Sequence, residues 1–323
     1  MLNLYKEIDI LKGIAIILVV LGHIELLYAL DAYSQFRDFV YTFHMPLFMA
    51  ISGYLYAKHH NKSLNYLSFV KKKAKRLLLP YISVMVIYYL IKYISSYAVG
   101  VNTPIELKSF LYTLFINPYG GFVSFLWYVY VLFLIYLIVP IFKKLPILLA
   151  ISLGIYFIPF PSLFCLNMLS EHLVFFVLGL LIYKYLSKGN VVNVKYLMIP
   201  SLTLQILLYL YSVQHVSIIF DLMLALLGIV STYSLSKLIA DFKLPVLRYV
   251  GKYSTEIYFM HIIFLLGVIT LFKVLPNGIC GQIYVQFIVQ FLVGVVGPLL
   301  FAMLLKTLKM KRIYQIIFGK NIQ

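Results

Sequence analysis

Charged residues are scarce in this sequence. They make up 11% of its 323 residues, whereas hydrophobic residues make up 63%; soluble globular domains carry about 25% charged and 45–50% apolar residues. The composition therefore excludes a cytosolic enzyme, a disordered protein and a coiled coil. Its apolar residues form long blocks separated by lysine clusters, proline and glycine, unlike the weak alternating segments of an outer-membrane barrel. We predict an all-α, polytopic membrane helical bundle.

Cysteine and the familiar catalytic signatures are scarce as well. Two cysteines, Cys165 and Cys280, are too few for a disulfide framework or a cysteine-rich metal site. Both fall in predicted outer loops, where a disulfide and two unpaired thiols both stay open, with unpaired thiols favoured. We find no metal-ligand spacing, phosphate-cradling glycine loop or serine nucleophile elbow. The sequence therefore predicts no metal cofactor.

Acidic residues are few, since 10 of them face 27 basic residues and leave a net charge of +17. The basic residues stand in short clusters between apolar blocks, which is the positive-inside pattern of an inner-membrane protein and not a nucleic-acid surface. No polar stretch is long enough to fold alone, and the first apolar segment has no small-residue cleavage site. We predict one integral membrane domain over residues 1–323, with no soluble domain and no nucleic-acid partner.

Ten stretches approach the roughly 20 mostly apolar residues that a spanning helix needs. With the N-terminus in the cytoplasm, 23 of the 27 basic residues fall in cytoplasmic segments and three in outer loops, while Lys92 lies inside a helix. The charge bias predicts about ten transmembrane helices in the cytoplasmic membrane, with both termini cytoplasmic. The predicted spans are Ile8–Tyr28, Phe39–Ala57, Leu77–Tyr97, Phe122–Phe142, Leu145–Phe160, His172–Tyr185, Tyr196–Val213, Ser217–Ala240, Ser254–Phe272 and Ile283–Leu305.

Two histidines fall in consecutive predicted spans. His23 lies roughly 22 Å into the first span and His44 roughly 8 Å below the outer surface in the second, at 1.5 Å per residue. A short loop joins the spans, so we expect both histidines in the outer half, at one level of neighbouring helices. Such a pair suits acid–base chemistry or hydrogen bonding to a hydroxyl substrate. A structural role, bonded to nearby backbone, is the alternative for each.

A basic pair opens the third span. Lys73 and Arg76 are three residues apart, so they share a helix face at the predicted cytoplasmic mouth. Such a pair suits phosphate groups. The alternative, favoured on charge alone, is a lysine-rich cluster that anchors the chain to anionic lipid heads.

The ninth span begins with a turn and cap at Gly251 and Ser254, which places Glu256 in its first turn. His261 follows five residues later, in the predicted inner half of the membrane. Both are candidates for substrate binding, and packing is the alternative for each. Trp127, near the outer end of the fourth span, is a third candidate because its ring can stack on a sugar. An interfacial aromatic belt is the simpler explanation for that tryptophan.

The ordered set of motifs resembles the membrane-bound acyltransferase 3 family, especially its branch similar to fucose 4-O-acetylases and polysaccharide O-acetyltransferases. Each motif alone is weak, and the order along nearly the whole chain carries the resemblance. The matching pieces are Asp9-x-x-Lys12-Gly13, Gly22-His23, Phe43-His44-Met45-Pro46-Leu47-Phe48, Ile51-Ser52-Gly53-Tyr54-Leu55, Lys73-x-x-Arg76-Leu77-Leu78-x-Pro80, Leu126-Trp127-Tyr128 and Gly251-Lys252-x-Ser254-x-Glu256-Ile257-Tyr258-x-x-His261.

The resemblance implies acyl transfer from cytoplasmic acyl-CoA, usually acetyl-CoA, to a hydroxyl of an envelope glycan or glycolipid. It gives His23 the role of the family's essential histidine. Lys73 and Arg76 match a basic pair linked to CoA or catalysis. Lysine in the first position keeps the charge but lacks the bidentate phosphate geometry of arginine. The partners that the resemblance implies are acyl-CoA, the glycan acceptor and the lipid bilayer.

A transporter or flippase for a glycan or small solute is the alternative function. Ten basic-inside spans with buried histidines suit that class too. We see no inverted repeat and no paired interrupted helices, which a transporter of that kind is expected to show.

Overall fold

A computed structural model describes residues 2–28, 30–59, 65–99, 106–121, 123–186, 194–242, 244–274 and 282–321. These residues form helices joined by short connections, with no strand among them, which confirms the all-α prediction. The α-helices are α1 (Leu2–Gly22), α2 (Asp31–Tyr41), α3 (His44–His59), α4 (Tyr66–Val99), α5 (Leu107–Phe115), α6 (Trp127–Ile138), α7 (Leu145–Tyr156), α8 (Leu166–Leu186), α9 (Met198–Ser212), α10 (Ile218–Ile239), α11 (Pro245–Lys252), α12 (Ser254–Val274), α13 (Ile283–Thr307) and α14 (Lys311–Phe318).

Seven helical segments in the described residues are long and apolar enough to cross a membrane, and each overlaps a predicted span. They are Tyr66–Ile94, Ser124–Ile141, Leu163–Leu186, Val194–Ser212, Ile218–Ile239, Ser254–Lys273 and Ile283–Thr307. The other three predicted spans correspond to the shorter apolar helix α7, to the 16-residue α3 and to α1. The chain is therefore a multi-span membrane protein.

The first two predicted spans differ from the observed helices in where they begin or end. Helix α1 ends at Gly22, six residues before the predicted end at Tyr28. A Cβ at Gly22 would lie 2.7 Å from the Tyr41 ring, so the glycine admits that ring against the end of the helix. The predicted second span is broken into α2 and α3, which begins afresh at His44. Pro46 fits this break because proline is tolerated in a first helical turn, where its missing N–H costs nothing.

Contacts divide the chain into two compact units, and the first contains Met1–Tyr54 and Ile182–Leu304. Its closest packing joins α1 to α11. A Cβ at Gly251 would lie 1.7 Å from the Asp9 carbonyl oxygen and 2.8 Å from the Gly13 nitrogen. Only glycine allows two backbones to approach so closely.

The second unit contains Leu55–Leu181 and Leu305–Gln323. Its longest helix, α4, contains Pro80, which cannot donate the helical hydrogen bond to the Arg76 carbonyl. Gly319 lies against that carbonyl: a Cβ there would be 2.1 Å from the oxygen, and its φ of +64° also favours glycine. The end of α14 therefore packs on the Arg76 turn of α4. Cys165 is buried in this unit, whereas Cys280 lies outside the described residues.

Candidate functional site

The end of α1 carries His23, the first predicted site residue, in the turn that follows the helix. The last carbonyls of a helix have no partner within it, and here the tyrosines of α2 supply two. The Tyr33 hydroxyl lies 2.8 Å from the carbonyl oxygens of both Leu21 and Ile24. The Tyr41 hydroxyl donates to the Gly22 carbonyl over 2.7 Å. The backbone on both sides of His23 is therefore held by α2.

Tyr41 also links His23 to His44. Its ring centroid lies 6.0 Å from that of His23 and 4.9 Å from that of His44. His44 is 4% exposed at the start of α3, and Tyr41 is 44% exposed. The two histidines predicted as a pair thus meet through one tyrosine, which the sequence reasoning had not singled out.

His261, on α12, lies directly against His23. The ring centroids are 5.1 Å apart in an edge-to-face arrangement, and His261 is fully buried. Our prediction that His23 lies in the outer half of the membrane and His261 in the inner half is therefore wrong, because touching rings share one level. Gly251 packs against Gly13, and the two glycines are as far apart in the sequence as His23 and His261 are. Both helices therefore advance together between the two contacts, and α12 runs alongside α1 in the same direction.

The three histidines share one hydrogen-bond arrangement. In each, Nδ1 lies near a backbone carbonyl one turn earlier: Val19 for His23 at 2.8 Å, Val40 for His44 at 2.9 Å and Tyr258 for His261 at 2.8 Å. A carbonyl oxygen only accepts, so Nδ1 carries the proton. In a neutral ring Nε2 is then the basic nitrogen.

The non-helical segment after His23 is held by two glutamines of α13 that the sequence reasoning missed. The Glu25 N–H donates to Gln290 Oε1 over 3.1 Å, and Gln290 Nε2 donates to the Glu25 carbonyl. The Leu27 N–H donates to Gln286 Oε1 over 3.1 Å. Both glutamines are fully buried. Two glutamines four residues apart in an apolar helix were the available sequence signal.

Charged groups lie near the other end of α1. Lys237 of α10 donates to the Glu7 carboxylate, and Lys12 pairs with Asp9 at 2.8 Å. An apolar cavity adjoins Glu7, with Leu11, Leu47, Ile51, Tyr54 and Tyr233 among its lining residues. Glu256, a predicted substrate-binding residue, is 2% exposed in the first turn of α12.

Lys73 lies among aromatic rings in the second unit. Its Nζ is 3.8 Å from the centroid of the Tyr136 ring, 5.5 Å from that of Phe69 and 5.9 Å from that of Tyr56. A cation over aromatic faces is stabilised by the ring quadrupoles. Neither predicted interpretation of Lys73, phosphate binding or lipid anchoring, included this aromatic environment. Arg76 is exposed one turn further along α4.

Trp127, the remaining predicted site residue, is 7% exposed at the start of α6. Its ring centroid lies 4.7 Å from that of His172 on α8. The side chain is thus packed inside the second unit. His172 Nδ1 lies 2.9 Å from the Met168 carbonyl oxygen, so it repeats the arrangement of His23, His44 and His261. Over the described residues, no group of three or more His, Cys, Asp or Glu side chains could hold a metal ion.

The fold and the contacts that join His23, His44 and His261 define a multi-span membrane protein with histidines able to accept protons. The family model described as an acyltransferase domain (Acyl_transf_3) matches residues 5–307. The chain therefore belongs to the acyltransferase 3 family, which confirms the resemblance carried by the ordered motifs.

Two curated relatives match shorter parts of the chain. It is 54% identical over 55 residues to the nodulation protein NolL of Sinorhizobium fredii, covering 15% of this chain and 14% of that protein. It is 44% identical over 77 residues to the nodulation protein NolL of Mesorhizobium japonicum, covering 22% and 20%. The chain thus aligns with about a fifth or less of each relative's length. No solved structure matches the chain.

Proposed function

We propose that this protein is an integral membrane O-acyltransferase. It moves an acyl group, an acetyl group in our proposal, from cytoplasmic acyl-CoA to a hydroxyl of an envelope glycan. Family membership supports acyl transfer. The observation that carries the site is the contact between His23 and His261, with Nδ1 of each ring bonded to a backbone carbonyl.

His23 acts as the general base in this proposal. Its Nε2 takes the proton of the acceptor hydroxyl as that oxygen bonds to the thioester carbonyl carbon. The carbon–sulfur bond then breaks, and the CoA sulfur leaves and takes a proton. The products are the ester and free CoA. A brief acyl-histidine intermediate is the variant in which Nε2 attacks first. His44 and His261 orient the reacting groups, and Glu256 and Trp127 stay proposed substrate-binding residues.

Lys73 and Arg76 are the proposed CoA-binding residues. Arg76 is exposed, and its planar guanidinium can bind phosphate in a bidentate manner. Lys73 is held by aromatic rings, so we assign it the weaker share of phosphate binding.

The proposed arrangement in the membrane follows the charge bias of the sequence. We propose about ten spans in the cytoplasmic membrane, with both termini cytoplasmic and residues 1–323 forming one membrane domain. Reporter fusions placed after Ser212 and after Thr307 test it, because the first should report the outer side and the second the cytoplasmic side. Both reporters on the same side would refute this topology.

The first experiment measures CoA release from acetyl-CoA by the purified protein in lipid, beside His23→Ala. We expect release in the presence of an envelope-glycan extract and its loss in the variant, because general-base catalysis is worth about 10²–10⁴-fold. Full activity in a correctly folded His23→Ala protein would refute the role of His23. If the wild-type protein releases no CoA in the presence of acetyl-CoA and the extract, this donor and acceptor class is refuted and a transporter is favoured.

A further inference from the structure

The backbone that follows His23 is held by side chains instead of by a helix. Helix α1 ends at Gly22, and Ile24, Glu25 and Leu26 have no regular secondary structure. Away from water, each unpaired N–H or C=O in such a segment is costly. Where this segment is shielded from water, its backbone groups therefore need partners within the protein.

Gln290 provides two of those partners at once. Its amide oxygen accepts from the Glu25 N–H at 3.1 Å, and its amide nitrogen donates to the Glu25 carbonyl. A glutamine side chain has one acceptor and one donor end, so it binds a single peptide residue as a β-strand neighbour would. Gln286 extends the contact one helical turn away through the Leu27 N–H.

The hydrogen bonds from Gln290 matter for catalysis because they lie two residues from His23. Glu25 is two residues from His23, and on the helix side the Gly22 carbonyl is held by Tyr41. The His23 ring is thus attached to a backbone that is fixed on both sides. Moving a general base by about 1 Å can cost about a hundredfold in rate.

We propose that Gln290 is a positioning residue that fixes His23 by binding the backbone of Glu25. Gln286 supports it through Leu27. The effect on catalysis rests on the proposed acyltransferase function, whereas the effect on the His23 backbone does not.

The test compares wild-type protein with Gln290→Leu in lipid nanodiscs. Three readouts are hydrogen exchange of the Glu25 amide, carbethoxylation of His23 by diethyl pyrocarbonate, and steady-state CoA release. We expect about tenfold faster exchange and a similar fall in kcat, the size expected when a hydrogen bond of this kind is lost. His23 modification should rise, while the KM for acetyl-CoA stays within about twofold, because the donor site keeps its residues.

Gln205→Leu is the matched control. Gln205 is also fully buried, and its amide oxygen accepts from Ser231 on α10, not from the segment after His23. It should leave Glu25 exchange and His23 modification at wild-type values. Equal changes in both variants would overturn the proposal, because any buried glutamine would then act alike.

Other outcomes also decide the question. Unchanged Glu25 exchange in Gln290→Leu overturns the proposal, and so does faster exchange with unchanged His23 modification. If the wild-type protein releases no CoA, the proposed function fails, and exchange together with His23 modification still decides whether Gln290 fixes that ring. If Gln290→Leu does not fold, Gln286→Leu takes its place. Faster Leu27 exchange with a smaller rise in His23 modification then supports the proposal, and unchanged values overturn it.

Discussion

The surroundings of His23 and of Lys73 differ in kind. Around His23, polar groups have directional partners: tyrosine hydroxyls on the carbonyls at the helix end, glutamine amides on the following backbone and a carbonyl on the ring nitrogen. Around Lys73, the ammonium lies over the faces of three aromatic rings. Hydrogen bonds fix the orientation of a group, whereas a cation over ring faces can shift without breaking a bond.

This difference predicts two kinds of sensitivity. A proton acceptor must face its substrate within a narrow range of angles, so small losses around His23 should lower the rate. A cation that attracts phosphates acts over a distance, so changes near Lys73 should alter binding more than rate. The following variants test that contrast, from the largest expected effect to the smallest.

His261→Asn should lower CoA release about a hundredfold, because it removes the ring that lies 5.1 Å from His23 and a general base displaced by about 1 Å can lose about that much. Release rates are compared at equal amounts of folded protein. His172→Asn is the control, since His172 is likewise buried and bonded through Nδ1 but belongs to the second unit. Equal losses in both variants would mean that histidine burial matters and the contact with His23 does not.

Gly251→Ala should destabilise the protein by about 1–3 kcal/mol, the usual cost of overpacking. The added Cβ would lie 1.7 Å from the Asp9 carbonyl oxygen, with backbone on both sides. Thermal unfolding in detergent measures the change. Gly267→Ala, where nothing lies within 4 Å of the new atom, should be neutral or slightly stabilising. A Gly251→Ala protein as stable as wild type would contradict the close packing of α1 and α11.

Arg76→Gln should raise the KM for acetyl-CoA about tenfold, because a hydrogen bond to a charged group is worth about 1.5–3 kcal/mol. Lys73→Gln should raise the KM less and lower the thermal stability more, since the cation over Tyr136 is lost. Initial rates against acetyl-CoA concentration separate the two. An unchanged KM in both variants would return the pair to lipid anchoring.

Tyr41→Phe should have the smallest effect, a loss of a few-fold in kcat. The ring between His23 and His44 stays, and only the hydrogen bond to the Gly22 carbonyl is removed, at about 1 kcal/mol. Tyr41→Leu, which removes the ring as well, should lose more. Equal activity of the two variants would mean that the hydroxyl alone matters.

Much of the helical architecture was predictable, because spans of about 20 apolar residues are strong signals. The histidines were also predictable, since ionisable groups within apolar blocks stand out. Their relative depth was not, because each was counted from the predicted end of its own span. The error in His261 arose because the packing of Gly251 against Asp9 and Gly13 sets the level of α12.

The partners of the site were harder to predict than the site itself. Tyr33 and Tyr41 hold carbonyls that lack a helical partner because α1 stops at Gly22, six residues before the predicted end of the span. Phe69 precedes Lys73 by one turn on α4, which local spacing records. Tyr56 and Tyr136 come from α3 and α6, so no local spacing records them. Periodicity and charge counts describe single segments, so they do not predict which side chains of distant segments touch.

The hydrogen bonds between Gln290 and Glu25 also depend on the order in which the chain is synthesised. Gln290 lies 265 positions after its partner, and ribosomes add roughly 5–20 residues per second. The first helix therefore waits on the order of 15–50 seconds in the membrane before the glutamine that completes its end is made. During that interval the backbone around His23 must be sheltered by lipid headgroups, water or the insertion machinery. A messenger RNA truncated before codon 290 would yield a chain that contains His23, His44 and His261 but lacks the glutamine that binds the backbone of Glu25.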